Sequence, residues 1–262
     1  MGETTTKIAA DRIWDHWQRG EVMDDLPSEL KPQSRQEGYA IQASLRCPPE
    51  QQLAGWKIAA TSSAGQSHIG VDGPLAGRIF QTCVIEPGAT VPVETNRMRV
   101  CEPEFAFRFA KDISPKDTPF SVDEVMALVG DLHLTLELPD SRFADFASVG
   151  GPTLIAESAC ARELVVGPAI TTDWRSIDLS QHAVTGHVAG RIEREGTGAN
   201  VLGDPRIALT WLVNELSMVG TPPLAGQLVT TGTSMVPLEI VEGDHVMADF
   251  GVLGQIQVHI GV

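Results

Sequence analysis

The sequence predicts an α+β protein with a small helical N-terminal part and a larger, mostly β remainder. Three observations carry this. Apolar residues recur at helical spacing in the first 46 positions, short β-forming runs follow one another from residue 78 onward, and two helical patterns interrupt those runs. The division expected is residues 1–77, an N-terminal α/β part, and residues 78–262, a β domain that carries the chemistry.

Taken in order, residues 5–20 place Ala9, Ile13 and Trp17 on one helical face, and Gly20 supplies a stop. Residues 33–46 form a second helical pattern closed by Pro48-Pro49. LAGWKIAA at 53–60 reads as a short buried strand with a single charge, Lys57. The Gly/Ser/Pro-rich stretch 61–77 reads as a long loop or short helix beside a site, a candidate lid. The β-like runs are RIFQTCVI, EFAFRFAKDI, DLHLTLEL, AITTDW, AVTGHVAG, GQLVTTGT and the C-terminal stretch from Asp244. Of the two interrupting helices, one opens on a capping box, Ser121 with Glu124 three residues on. The other opens on Asp204-Pro205, an N-cap followed by an N1 proline.

Composition narrows the partners. Of 262 residues, 42% are hydrophobic and 20% charged, a globular balance. The formal net charge of −15 argues against binding nucleic acid, because phosphate binding needs a basic face. No run approaches the roughly 18–20 apolar residues of a membrane helix, and the opening residues hold no apolar stretch of signal-peptide type. The four cysteines, Cys47, Cys83, Cys101 and Cys160, are far apart and read as free thiols, so a cytoplasmic location is expected.

The stretch CEPEFAFRFA, 101–110, carries the chemistry. With side chains alternating across a strand, Phe105, Phe107 and Phe109 share an apolar face, and Glu102 and Glu104 share the other, about 7 Å apart. In DLHLTLELPDSRF the leucines 132, 134, 136 and 138 take one face, and His133, Thr135 and Glu137 the other. If the two strands are neighbours, Glu102, Glu104 and Glu137 form an all-oxygen trio suited to Mg²⁺ or Mn²⁺; the alternative is a sheet face with scattered acids. Lys57 is either a stem reaching solvent or an active-site base whose pKa, near a metal and partly desolvated, falls toward neutrality. TTGTS at 230–234 is either a small-residue carboxylate cradle, with Gly232 allowing close approach, or a turn. His133 shares the face of Glu137 but is read as structural.

GWKIAATS, CEPE, LELPDSR, GTGANVLGDP with the helix after it, and LAGQLVTTGT occur in an order that resembles the 2-keto-4-pentenoate hydratase / 4-oxalocrotonate decarboxylase group of the fumarylacetoacetate hydrolase superfamily. The resemblance runs from about Tyr39 to the C-terminus. It implies a mixed β-roll with a smaller N-terminal α/β part, assembled into homo-oligomers. It places the divalent ion on Glu102, Glu104 and Glu137, the family lysine on Lys57, and substrate contacts on Thr231, Gly232 and Thr233. The implied reaction adds water to a 2-hydroxy-2,4-dienoate, or its 2-oxo tautomer, giving a 4-hydroxy-2-oxo acid in aromatic meta-cleavage catabolism. Alternatives within the superfamily are a decarboxylase, an acylpyruvate C–C hydrolase, for which His68 is the candidate base, and a tautomerase. A non-catalytic partner subunit of a decarboxylase is the alternative from another class. Two departures stand out. Where hydratases carry D-E-P-D-F-G, residues 72–77 read DGPLAG, with the second aspartate replaced by Leu75. Where they carry A-D-N-A-S, residues 156–160 read AESAC, with Glu157 in place of the aspartate and assigned a catalytic role.

Overall fold

The computed structural model describes residues 1–45 and 52–261. Helix α1, Glu3–Arg19, forms where the spacing predicts it. It ends at Gly20, whose φ of 64° lets the following N–H of Glu21 return to the His16 carbonyl at 3.0 Å. Helix α2, Arg35–Ala43, starts under the Ser34 hydroxyl, which accepts from the Glu37 N–H at 3.2 Å. The closing prolines expected for it, and Cys47, lie outside the described residues. Strand β1, Leu53–Ala59, carries Lys57 inward, and a short helix α3, Ser63–His68, follows it.

Strands β2, Leu75–Phe80, and β3, Val84–Ile85, come from the run read as one strand; a 3₁₀ turn over Gln81–Cys83 breaks it. Then come β4, Thr90–Pro92; β5, Val100–Phe109; α4, Val122–Met126, with the expected capping box; and β6, Val129–Leu138. Helix α5, Gly151–Ala156, and strand β7, Glu163–Val166, were not legible as elements. AITTDW does not form a strand. Pro168 has no N–H to give the ladder beyond β7, which leaves Gly167 and Ile170 either side of it donating to β6, to the Leu134 and Leu132 carbonyls at 2.9 and 2.8 Å. Strands β8, Ala183–Val188, and β9, Ile192–Thr197, form a hairpin before α6, Pro205–Met218, capped by Asp204 as expected. Strand β10 is Leu228–Thr233, β11 Leu238–Glu239, β12 His245–Asp249 and β13 Gln255–Gly261.

Two mixed sheets result. The larger runs β2-β1-β10-β5-β6-β7-β3, with β11 also paired to β5; the smaller runs β4-β13-β12-β8-β9. The expected boundary after residue 77 falls inside β2, and β1 and β2 are hydrogen-bonded into the larger sheet. The apolar face of β5 packs where expected. The Phe105 ring meets Phe250, just past β12, edge-on at 5.1 Å, and Phe107 meets Trp174 at 6.0 Å. Helix α6 packs on β10. Among the described residues no helix is long and apolar enough to cross a membrane.

Because Phe107 is fully buried beneath the site-bearing strand, Phe107→Ala should lower unfolding stability by about 3–5 kcal/mol. A shift of the urea midpoint to lower concentration checks this; an unchanged midpoint removes the anchoring role.

Candidate active site

Strands β5 and β6 are antiparallel neighbours, and their register sets Glu102 opposite Glu137 and Glu104 opposite Thr135. One carboxylate oxygen from each of Glu102, Glu104 and Glu137 lies within 4.8 Å of the others. Glu104 and Glu137 are buried and Glu102 is half-buried. Strand β10, on the other side of β5, loses register between Thr230 and Thr233. That irregularity turns the Gly232 N–H toward Glu104 Oε2, at 2.8 Å, and the Thr230 hydroxyl donates to the same oxygen. Gly232 has φ 106°, and a Cβ there would sit 2.3 Å from the Thr61 hydroxyl oxygen, so the position requires glycine. Among the described residues Glu104 Oε1 has no hydrogen-bond partner.

The electrostatics follow from crowding. Burial, then repulsion from Glu137, raises Glu102 to about 7. Burial and its two acidic neighbours hold Glu104 well above the usual carboxylate range, and burial likewise raises Glu137. Crowded carboxylates with Glu104 Oε1 and Glu137 Oε2 left unpaired suit a cation held among them. The donor set is all oxygen and hard, so it can hold a divalent metal ion of the Mg²⁺ or Ca²⁺ kind.

Lys57 reaches this cluster from β1, with Nζ 3.2 Å from Glu137 Oε1. Burial alone would lower its pKa, but the carboxylates of Glu137, Glu102 and Glu104 outweigh burial and hold the ammonium above its ordinary value. The fall toward neutrality expected of Lys57 belongs to a site in which a metal ion offsets these acids.

These groups open on one cavity of about 1140 Å³, lined by Lys57, Glu102, Glu104, Gly232 and Thr233 among others. Thr231 is turned the other way: its hydroxyl donates to the Phe105 carbonyl at 2.9 Å. His133 is satisfied structurally, by the Gly167 carbonyl at 2.8 Å and Arg108 at 3.2 Å. His68 lines the cavity with its ring against Phe146, and no carboxylate forms an ion pair with it among the described residues. The segment 198–204 after β9 also reaches the cavity, tied to the chain just past β1 by the Leu202 N–H donating to the Thr61 carbonyl at 3.0 Å.

Glu157 lies behind the cavity wall. It is fully buried, accepts from the Ser141 hydroxyl and the Arg142 N–H, and stands 3.8 Å from Cys160 Sγ. Cys160 itself lines the cavity. Ser158, Ala159 and Cys160 have φ values of 71°, 51° and 63°, three consecutive left-handed residues with no glycine among them. Gly77 on β2 makes room for that turn, since a Cβ at Gly77 would lie 1.9 Å from the Ser158 carbonyl oxygen. Sequence reading missed Cys160 as a wall residue, because a left-handed turn made of Ser-Ala-Cys has no sequence signature.

No protein-family model matches the sequence. The chain is 30% identical over 199 residues to a 2-keto-4-pentenoate hydratase of Burkholderia vietnamiensis (strain G4 / LMG 22486), covering 74% of each chain. It is 27% identical over 239 residues to a 2-keto-4-pentenoate hydratase of Paraburkholderia xenovorans (strain LB400), covering 90% of this chain and 87% of the relative. Its fold matches 4-oxalocrotonate decarboxylase from Pseudomonas putida G7, complexed with magnesium and adipate, at a TM-score of 0.89 and 20% identity, over 99% and 98% of the two chains.

Burial raises Glu157 from an ordinary 4.5 to about 7, against the opposing hydrogen bonds from Ser141 and Arg142. An acid with a raised folded pKa binds its proton more tightly in the folded than in the unfolded chain. Its contribution therefore favours folding below about pH 4.5 and is lost as pH rises to about 7. Relative to wild type, Glu157→Gln should gain on the order of 3 kcal/mol in unfolding free energy between those limits. Urea titrations of both chains at pH 5 and pH 8 check this, and parallel pH dependence would refute it.

Proposed function

We propose, because this chain belongs to the 2-keto-4-pentenoate hydratase / 4-oxalocrotonate decarboxylase family of the fumarylacetoacetate hydrolase superfamily, that it is a divalent-metal-dependent hydro-lyase acting on a 2-hydroxy-2,4-dienoate or its 2-oxo tautomer. The product of adding water is a 4-hydroxy-2-oxo acid, as in aromatic meta-cleavage catabolism. The observation that supports this reading best is the buried trio of carboxylates with Glu104 Oε1 unpaired, opening on a cavity beside Lys57.

Glu102, Glu104 and Glu137 are the proposed ligands of Mg²⁺ or Mn²⁺. Such an ion supplies Lewis-acid stabilisation of the negative charge that develops on the substrate's C2 oxygen. Gly232 and Thr230 fix Glu104 by holding one oxygen, leaving the other directed away from them. Lys57 is the proposed proton carrier for ketonisation: its ammonium is within reach of the acids, and compensating their charge would bring its pKa back down toward neutrality. Gly232 and Thr233 are the proposed substrate contacts from β10, while Thr231 braces β10 against β5. Glu157 is proposed to act through Cys160 on the cavity side. We place the reaction in the cytoplasm, in a homo-oligomer that works alone or beside a decarboxylase partner; Cys83, Cys101 and Cys160 are free thiols, as a reducing compartment keeps them.

One observation favours a second reading. Leu75, fully buried on the cavity wall, stands where hydratases carry an acid, and an apolar wall that strips water from a carboxylate assists decarboxylation. Release of CO₂ from 2-oxohex-3-enedioate would identify that reaction.

Incubation with 2-hydroxypenta-2,4-dienoate and Mg²⁺ should bleach the diene absorbance, and EDTA should stop it. No bleaching, or indifference to EDTA, rejects the metal-dependent hydratase reading; stable assembly with no turnover favours a non-catalytic partner. Glu104→Gln should abolish Mg²⁺ binding in calorimetry and activity together while circular dichroism is unchanged. Lys57→Ala should keep Mg²⁺ binding and lose roughly 10²–10⁴-fold in kcat; a variant that instead loses the metal marks Lys57 as structural.

A further inference from the structure

The cavity changes character along one strand. Glu104 and Glu102 face it near the Lys57 end, and Val100, two residues back along β5 and about 7 Å from Glu102, lines it with Met98 beyond. Ile69, Phe146, Leu154 and Met235 complete apolar wall. Among the described lining residues Lys57 is the only lysine or arginine, and it is held by Glu137. At the rim, Glu239 adds a negative charge, paired 2.7 Å from Arg194. Ser62, Gln66, His68 and Asn200 also line the cavity, but a carboxylate lying on Val100 and Met98 would find no lysine or arginine there. The volume of about 1140 Å³ lies just above the roughly 300–1,000 Å³ of pockets for drug-sized ligands, and far exceeds what a five-carbon acid needs.

We infer that this cavity selects a 2-oxo or 2-hydroxy-dienoic acid bearing one carboxylate, seated at the acidic trio, and a bulky apolar tail of hexyl or phenyl size lying on Val100 and Met98, and that it discriminates against acids with a second carboxylate at the far end. The inference rests on the metal-held oxo-acid reading given above and extends it to the substrate's distal half.

Binding and turnover test it separately. Calorimetry on the Mg²⁺-loaded full chain compares three unreactive acids: 2-oxopentanoate, 2-oxodecanoate and 2-oxodecanedioate. Each methylene buried is worth roughly fourfold in affinity, so 2-oxodecanoate should bind at least tenfold tighter than 2-oxopentanoate even with part of its tail in water. It should also bind at least tenfold tighter than 2-oxodecanedioate. A diacid that binds as tightly as the monoacid, or a short acid that matches the long one, overturns the inference. Met98→Lys, at a half-buried wall position, should narrow the gap between diacid and monoacid to about threefold; an unchanged gap in a folded variant also counts against it. If that variant does not fold, the wild-type comparison decides alone. The kinetic arm compares kcat/KM for 2-hydroxypenta-2,4-dienoate and 6-phenyl-2-hydroxyhexa-2,4-dienoate, expected to favour the phenyl acid at least tenfold. Turnover of neither with the binding order intact sinks the hydratase reading and leaves the tail pocket standing; turnover of both at parity does the reverse.

Discussion

The pairing of β5 with β6 is the constraint on which the rest depends. Its register puts Glu102 across from Glu137, and the period-two alternation of β5 puts Glu104 on the same side with Phe105, Phe107 and Phe109 on the other. A one-residue slip would exchange those faces, burying carboxylates among the phenylalanines and turning aromatic rings into the cavity. The aromatic face thus fixes the register, and the register fixes the acids. The same strand is held from its other edge by β10, whose irregular pairing at Thr230–Thr233 releases a backbone N–H to Glu104 instead of to the ladder.

Such a site costs stability. Three carboxylates sharing a small volume repel one another; the raised values of Glu102 and Glu104 record burial and that repulsion, and that of Glu137 records burial. The left-handed run Ser158–Cys160 adds backbone strain of roughly 1–3 kcal/mol per residue. Both are tolerated because the surrounding packing is over-determined. The turn is clamped by the Ala159 N–H to the Leu154 carbonyl at 2.7 Å and by the Asp140 N–H to the Cys160 carbonyl at 3.0 Å, and Gly77 leaves it space. Function and strain therefore meet on the same wall.

What the sequence disclosed follows from periodicity and caps. Helices α1, α4 and α6 were legible because Gly20, the Ser121–Glu124 box and Asp204-Pro205 are local signals. Strands β5 and β6 were legible because each alternates apolar and polar side chains, and the acidic trio came from that alternation plus one assumption, that the strands are neighbours. Strand β9, polar and at a sheet edge, offers no apolar face to read. The direction of Thr231 was hidden by the register shift in β10, which sequence alternation cannot register. Cys160 was hidden for a related reason: its place on the wall comes from a non-repetitive backbone path.

The charge on Lys57 is set by its neighbours as much as by burial. Burial lowers an ammonium's pKa, yet here the nearest charges are three carboxylates, and they win. Taken together, the three acids exceed the one buried ammonium by two formal charges, the charge of a single divalent cation. Neutralising that excess removes the attraction that keeps the Lys57 proton in place, so the same event that seats the substrate head would free the lysine to move a proton. The strand then divides its labour along its length: the glutamates govern charge at one end of the cavity, and Val100 and Met98 leave the other end to apolar contact.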